Sequence, residues 1–134
     1  MVSKLLLGKE VVDSKFVCGK RVLLADDQEG VRQAIKMLLA ADDHCVTEAS
    51  NGKEAFELFS HHNFDLVITD FHMPGMHGGE LVLKIKAVSP SLPVIMITGF
   101  ANDLRGFSTK VDAVLTKPFS FPDLRRVIAQ VLVE

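Results

Sequence analysis

Short, nearly unbroken apolar runs alternate along this chain with stretches where apolar residues recur every three or four positions. The runs are Val22-Leu23-Leu24-Ala25, Leu66-Val67-Ile68-Thr69, Pro93-Val94-Ile95-Met96-Ile97 and Ala113-Val114-Leu115-Thr116. Strands covered on both faces need such continuous apolar runs. The expected strands are Arg21–Ala25, Cys45–Ala49 (short and alternating), Phe64–Thr69, Pro93–Ile97 and Asp112–Thr116. Helical spacing appears between them, at Val31, Ile35, Leu38 and Leu39, at Ala55, Leu58 and Phe59, at Leu81, Ile85 and Val88, and at Leu124, Ile128 and Val131. Asn51-Gly52 marks a turn, and Pro74, Gly75, Gly78 and Gly79 mark a loop.

Strands alternating with helices predict an α/β domain with a doubly wound, five-stranded parallel sheet and right-handed crossovers. The expected strand order is 2-1-3-4-5, with the switch point between the first and third strands. Residues 101–110 break the rhythm: they contain Gly106 and little amphipathic pattern, so the fourth helix is expected to be short. Residues 1–19 are a separate N-terminal extension, either a short hairpin around Gly8-Lys9 or a disordered leader, and residues 20–134 form the domain.

The 134 residues suffice for one core. With 48% hydrophobic residues and a formal net charge of −2, the chain reads as globular, without the basic footprint of a nucleic-acid binder. Cys18 and Cys45 lack metal-ligand spacing and read as free thiols. No apolar stretch approaches the roughly 20 residues that span a membrane. The expected location is the cytoplasm, with neither membrane nor nucleic acid bound by this chain alone.

Chemistry-bearing residues stand at the ends of the apolar runs: Asp26-Asp27, Asp70, Thr98 and Lys117. In a parallel sheet these positions share one edge, where open α/β sheets place their sites. Three carboxylates gathered there repel one another unless a cation sits between them, and Mg²⁺ beside a lysine suggests phosphate. His72 and His77 flank the same loop and read as exposed imidazoles, not transition-metal ligands. His61-His62 would diverge from a helix end, and Met73 and Met76 are expected to pack under the loop.

Together the segments around Asp26-Asp27, Asp65 to Gly78, Met96-Ile97-Thr98-Gly99 and Leu115-Thr116-Lys117-Pro118-Phe119 resemble the receiver domain of two-component response regulators, over roughly residues 20–134. The resemblance implies a flavodoxin-like fold and a phosphoacceptor switch. Asp70 would be the nucleophile, accepting a phosphoryl group from a sensor histidine kinase or phosphotransfer protein. Mg²⁺ would be held by Asp26, Asp27, Asp70 and the backbone carbonyl of His72, with Asp26 acting through a water. Thr98, Gly99 and Lys117 would contact the phosphoryl oxygens, and the Lys117-Pro118 bond would be cis. A downstream protein target is implied without being identified, and no turnover on a separate substrate is expected.

Two features depart from the family pattern. Many members carry an aromatic ring three residues before the lysine, where this chain has Val114, although Phe100 lies nearby. Lys117 follows Thr98 by 19 positions, fewer than is usual. Both departures fall on the usual output face. The alternative function is a pseudo-receiver, a constitutive protein-interaction module, against which stands the complete residue set. A Mg²⁺-dependent aspartyl phosphatase would need a carboxylate two residues after the nucleophile, where this chain has His72. No effector domain follows the last helix, so the expectation is a stand-alone regulator, a relay intermediate or part of a longer protein.

Overall fold

In the computed structural model, residues 18–132 are described. The elements in chain order are β1 (Arg21–Ala25), α1 (Glu29–Ala41), β2 (Cys45–Ala49), α2 (Gly52–His61), β3 (Leu66–Asp70), α3 (Gly78–Val88), β4 (Val94–Thr98), a 3-10 turn (Ala101–Leu104), β5 (Ala113–Thr116) and α4 (Phe121–Leu132). The strands form one parallel sheet in the order β2-β1-β3-β4-β5. This is the expected doubly wound, flavodoxin-like topology. The question of hairpin or leader in the N-terminal extension falls almost wholly outside the described residues.

Alternate residues of each central strand serve opposite layers, as the period of two requires. Val22, Leu24, Ile68, Ile95 and Ile97 pack with Ile35, Leu39, Leu124 and Ile128 of α1 and α4. Leu23, Val67, Val94 and Met96 pack with Ala55, Leu81 and Ile85 of α2 and α3. Burying each Leu or Ile contributes roughly 1.5–3 kcal/mol, and the buried Leu and Ile are shared between the three central strands and the helices that cover them.

Several element ends differ from the pattern-based expectation, for identifiable reasons. β3 begins at Leu66, not Phe64, because Asp65 is engaged from its side: its carboxylate accepts bonds from the Arg21 backbone N–H and guanidinium. That ion pair holds the Asp65 carboxyl down at about 2. β4 begins at Val94, since Pro93 accepts from Val67 N–H but has no N–H to donate. β3 and β4 then run one residue further than expected, so Asp70 and Thr98 are the last strand residues. β5 starts at Ala113, with the Asp112 carboxylate accepting from Val94 N–H and Lys86 Nζ. Val88, expected on the core face of α3, is exposed in its last turn.

The expected short fourth helix is a single 3-10 turn of four residues. The starts of α2 and α4 are well capped. Asn51 accepts from Glu54 N–H while Glu54 accepts from Ser50 N–H, and Ser120 and Asp123 bond reciprocally ahead of α4.

Candidate functional site

Asp26, Asp27 and Asp70 converge where β1 and β3 end side by side, each offering a carboxylate oxygen within 4.8 Å of the others. Ladder pairing sets this distance: Ala25 lies opposite Thr69, so the next residue of each strand emerges at the same edge. Asp26 and Asp70 are buried and Asp27 is exposed, which leaves the cluster open on one side. Asp26 Oδ1 accepts from Gln28 N–H, whereas Oδ2 is buried without a hydrogen-bond partner.

Burial pushes the Asp26 carboxyl above its ordinary value, and the charges of Asp70 and Asp27 add to the rise. The Gln28 N–H and the Lys117 ammonium oppose it. A buried carboxylate oxygen that lacks a donor and faces two like charges is a position where a cation lowers the energy. All-oxygen donors suit a hard dication such as Mg²⁺. The acidic pocket therefore fits phosphorylation chemistry with Mg²⁺.

The surrounding residues hold this edge in place. Arg32 donates to the Asp26 backbone carbonyl at 2.8 Å while its Nε bonds Glu48, so α1 grips the turn carrying the two aspartates. Gly78 opens α3 directly against the end of β3, and its N–H donates to Phe71 carbonyl. An added Cβ at Gly78 would collide with the Asp70 carbonyl and Phe71 Cα, so only glycine allows α3 this close to the end of β3. Met73 is buried beneath the loop and Met76 packs beside it, as expected.

Lys117 follows β5, with its Nζ 3.0 Å from Asp70 Oδ1. It is one-third exposed, so its ammonium can reach both the carboxylate and solvent. The Lys117-Pro118 peptide is cis. Gly99, just past β4, has open space where a side chain would project.

Thr98 is fully buried, and its hydroxyl donates to Asp103 Oδ2 at 2.7 Å. The same carboxylate oxygen accepts from His72 Nε2, also at 2.7 Å. The Thr98 hydroxyl, and secondarily His72, hold the Asp103 carboxyl below its ordinary value. His72 is thus an exposed imidazole, as expected, and also a bonded one.

Asp103 escaped the sequence reading because no motif marks it: an acidic residue five positions after a strand end is ordinary. His77 also does more than the sequence suggested. Its Nδ1 accepts from Glu80 N–H to cap α3, and its ring stacks on Phe71 at 5.0 Å between centroids. Histidine is not among the usual caps, so the sequence held little sign of this.

The model of the response regulator receiver domain matches residues 22–129. The transcriptional regulatory protein ResD of Bacillus subtilis is 34% identical over 103 residues, which are 75% of this chain and 42% of ResD. SrrA of Staphylococcus aureus is 33% identical over 102 residues, with 74% and 42% covered. The chain thus spans about two-fifths of the length of these relatives. The response regulator TrrA of Thermotoga maritima, solved with Mg²⁺-BeF, superposes with a TM-score of 0.78 at 31% identity, covering 84% of this chain and 99% of that one. A receiver domain protein of Clostridium thermocellum gives a TM-score of 0.77 at 31% identity, with 84% and 93% covered. Family model, relatives and fold agree with the acidic edge from which the site was built: the chain belongs to the response regulator receiver domains of two-component systems.

Proposed function

We propose that this chain switches protein–protein contacts by taking a phosphoryl group onto Asp70. Receiver domains of response regulators receive phosphoryl groups from histidine kinases. The observation that carries the reading is the meeting of the three-carboxylate cluster with Lys117 Nζ, 3.0 Å from Asp70 Oδ1. An Asp70 oxygen attacks the phosphorus, the phosphorus–nitrogen bond of the donor phosphohistidine breaks, and the imidazole keeps the electron pair.

Phosphoryl transfer asks mainly for positioning and charge neutralisation. Lys117 supplies a point charge to the incoming oxygens, and Thr98 and Gly99 supply an O–H and an N–H. Gly99 leaves room for the donor ring. Asp26, Asp27, Asp70 and the His72 carbonyl are the oxygens that would hold Mg²⁺. Bound there, Mg²⁺ would offset the negative charge gathered around the acceptor.

The chain itself turns over no separate substrate in this reading, and its signal passes to a downstream protein. A pseudo-receiver would have no use for the phosphorylation residues, and Asp26, Asp27, Asp70, Thr98 and Lys117 are all present in this chain. The test is phosphoryl uptake from a phosphohistidine donor with Mg²⁺ present. The wild-type chain should be labelled at Asp70 alone and Asp70→Asn not at all. An undiminished label in Asp70→Asn would sink the proposal.

A further inference from the structure

We propose that Asp103 is a latch that holds the Thr98 hydroxyl away from phosphoryl duty in the unphosphorylated protein. The inference rests on the phosphoacceptor reading of Asp70 and adds a residue that sets how readily the switch is thrown. A threonine hydroxyl has one proton to give. Here it is given to Asp103 Oδ2 at 2.7 Å, with the Phe100 carbonyl a longer second acceptor at 3.2 Å. The oxygen also accepts from Phe100 N–H at 3.2 Å. A bond to an ionised carboxylate is among the stronger hydrogen bonds in a protein. If Thr98 is to donate to a phosphoryl oxygen on Asp70, this bond must break first.

The latch has a second arm. His72 Nε2 donates to the same Oδ2, so one carboxylate oxygen ties the residue two positions after Asp70 to the end of β4. Asp103 belongs to the 3-10 turn Ala101–Leu104, which packs through buried Leu104 under the α2–α3 layer. Arrival of a phosphoryl group would therefore act on this turn in two ways. It competes for the Thr98 proton, and it sets new negative charge near the Asp103 carboxylate. Both favour releasing the turn. Without an aromatic ring at Val114, the chain still has a two-state element, and Asp103 supplies its resting contact.

The test is a double-mutant cycle on the rate at which Asp70 is phosphorylated by acetyl phosphate with Mg²⁺. Asp103→Ala frees the hydroxyl and should raise the rate about tenfold, near the lower end of what a hydrogen bond to a charged group is worth. In a Thr98→Val background, which has no hydroxyl to free, Asp103→Ala should change the rate less than about twofold. A merely structural role for Asp103 would not depend on the Thr98 hydroxyl. No gain from Asp103→Ala, or an equal gain in both backgrounds, overturns the latch. If wild-type Asp70 takes up no phosphoryl group, the phosphoacceptor reading fails and hydrogen exchange of the Mg²⁺-free protein decides the latch. Asp103→Ala and Thr98→Val should each speed exchange across residues 99–110, and the double variant no more than either. Unchanged exchange in the single variants, or fully additive effects, would overturn it.

Discussion

The two halves of the sheet's C-terminal edge carry complementary chemistry on different supports. β1 and β3 deliver the aspartates from the middle of the sheet, and every residue of β3 is buried. Helices cover both faces there, Arg32 ties down the aspartate turn, and Gly78 brings α3 against the end of β3. On the other half, β5 is a four-residue edge strand with only Leu115 buried. One of its faces meets α4, and in place of a helix on the other side the chain has a 3-10 turn and irregular residues up to Asp112. The three aspartates thus stand on a framework that is packed on both faces, while the Thr98 hydroxyl beside them is tied through Asp103 to an irregular segment. Local opening concentrates where buried apolar contacts are few, so under the proposed function the division would set the chemistry on one half of the edge and the readout on the other.

Core truncation should separate the halves most sharply. Ile68→Ala in β3 removes a fully buried side chain packed between α1 and α4, and should cost about 3–4 kcal/mol in denaturant unfolding. Val114→Ala in β5, where the side chain is partly exposed, should cost less than about 1 kcal/mol. Equal losses would mean that β5 is as tightly integrated as β3, and the contrast would lapse.

Much of this contrast could be read from the sequence. The apolar runs of β1, β3 and β4 are continuous because those strands are buried on both faces, so the strands and the residues at their ends, Asp26, Asp27, Asp70 and Thr98, were legible from pattern, while the strand order and the roles of the edge residues rested on the family resemblance. The flexible half was legible only as a lack of pattern between Gly99 and Asp112. Its key contact joins Asp103 to Thr98 and to His72, the latter 31 positions away, and periodicity reports nothing about such pairings. The ion pair between Asp42 at the C-terminus of α1 and Arg125 in the second turn of α4 spans 83 positions and was equally invisible. Strand ends shifted by a residue or two for a related reason: Asp65 and Asp112 are decided by side-chain hydrogen bonds and Pro93 by its missing N–H, which hydrophobic spacing does not encode.

A smaller effect sharpens the comparison on the rigid side. If the carboxylates are held ready for Mg²⁺, binding should stabilise the folded state by mass action. At ten times the dissociation constant the gain is about 1.4 kcal/mol, a rise in Tm of roughly 3–8 °C for a domain of this size. Asp27→Ala removes one ligand and should lose most of that rise. Val114→Ala, on the other half of the edge, should keep it. A rise of the same size in Asp27→Ala would place the cation elsewhere.

The finest test asks where the phosphoryl signal goes once it has arrived. Beryllium fluoride with Mg²⁺ offers a stand-in for the phosphoryl group on Asp70. β1 and β3 are already buried and fully paired, so their amides have little protection left to gain. Val114 is stiff about χ1, with no large ring to move between buried and exposed positions, so β5 lacks the side-chain motion that could carry a change through it. The Thr98 hydroxyl can turn, and the backbone that follows it is held by one 3-10 turn and a glycine at Gly106 with φ of +90°. Such a segment has no strand ladder to break and is anchored by Leu104 and Phe107, so it can change conformation about those anchors. Hydrogen exchange with and without the mimic should therefore differ most across residues 99–110, with β5 nearly still. Changes confined to α1 and α2, with residues 99–110 unaffected, would show that the signal leaves through the rigid half instead.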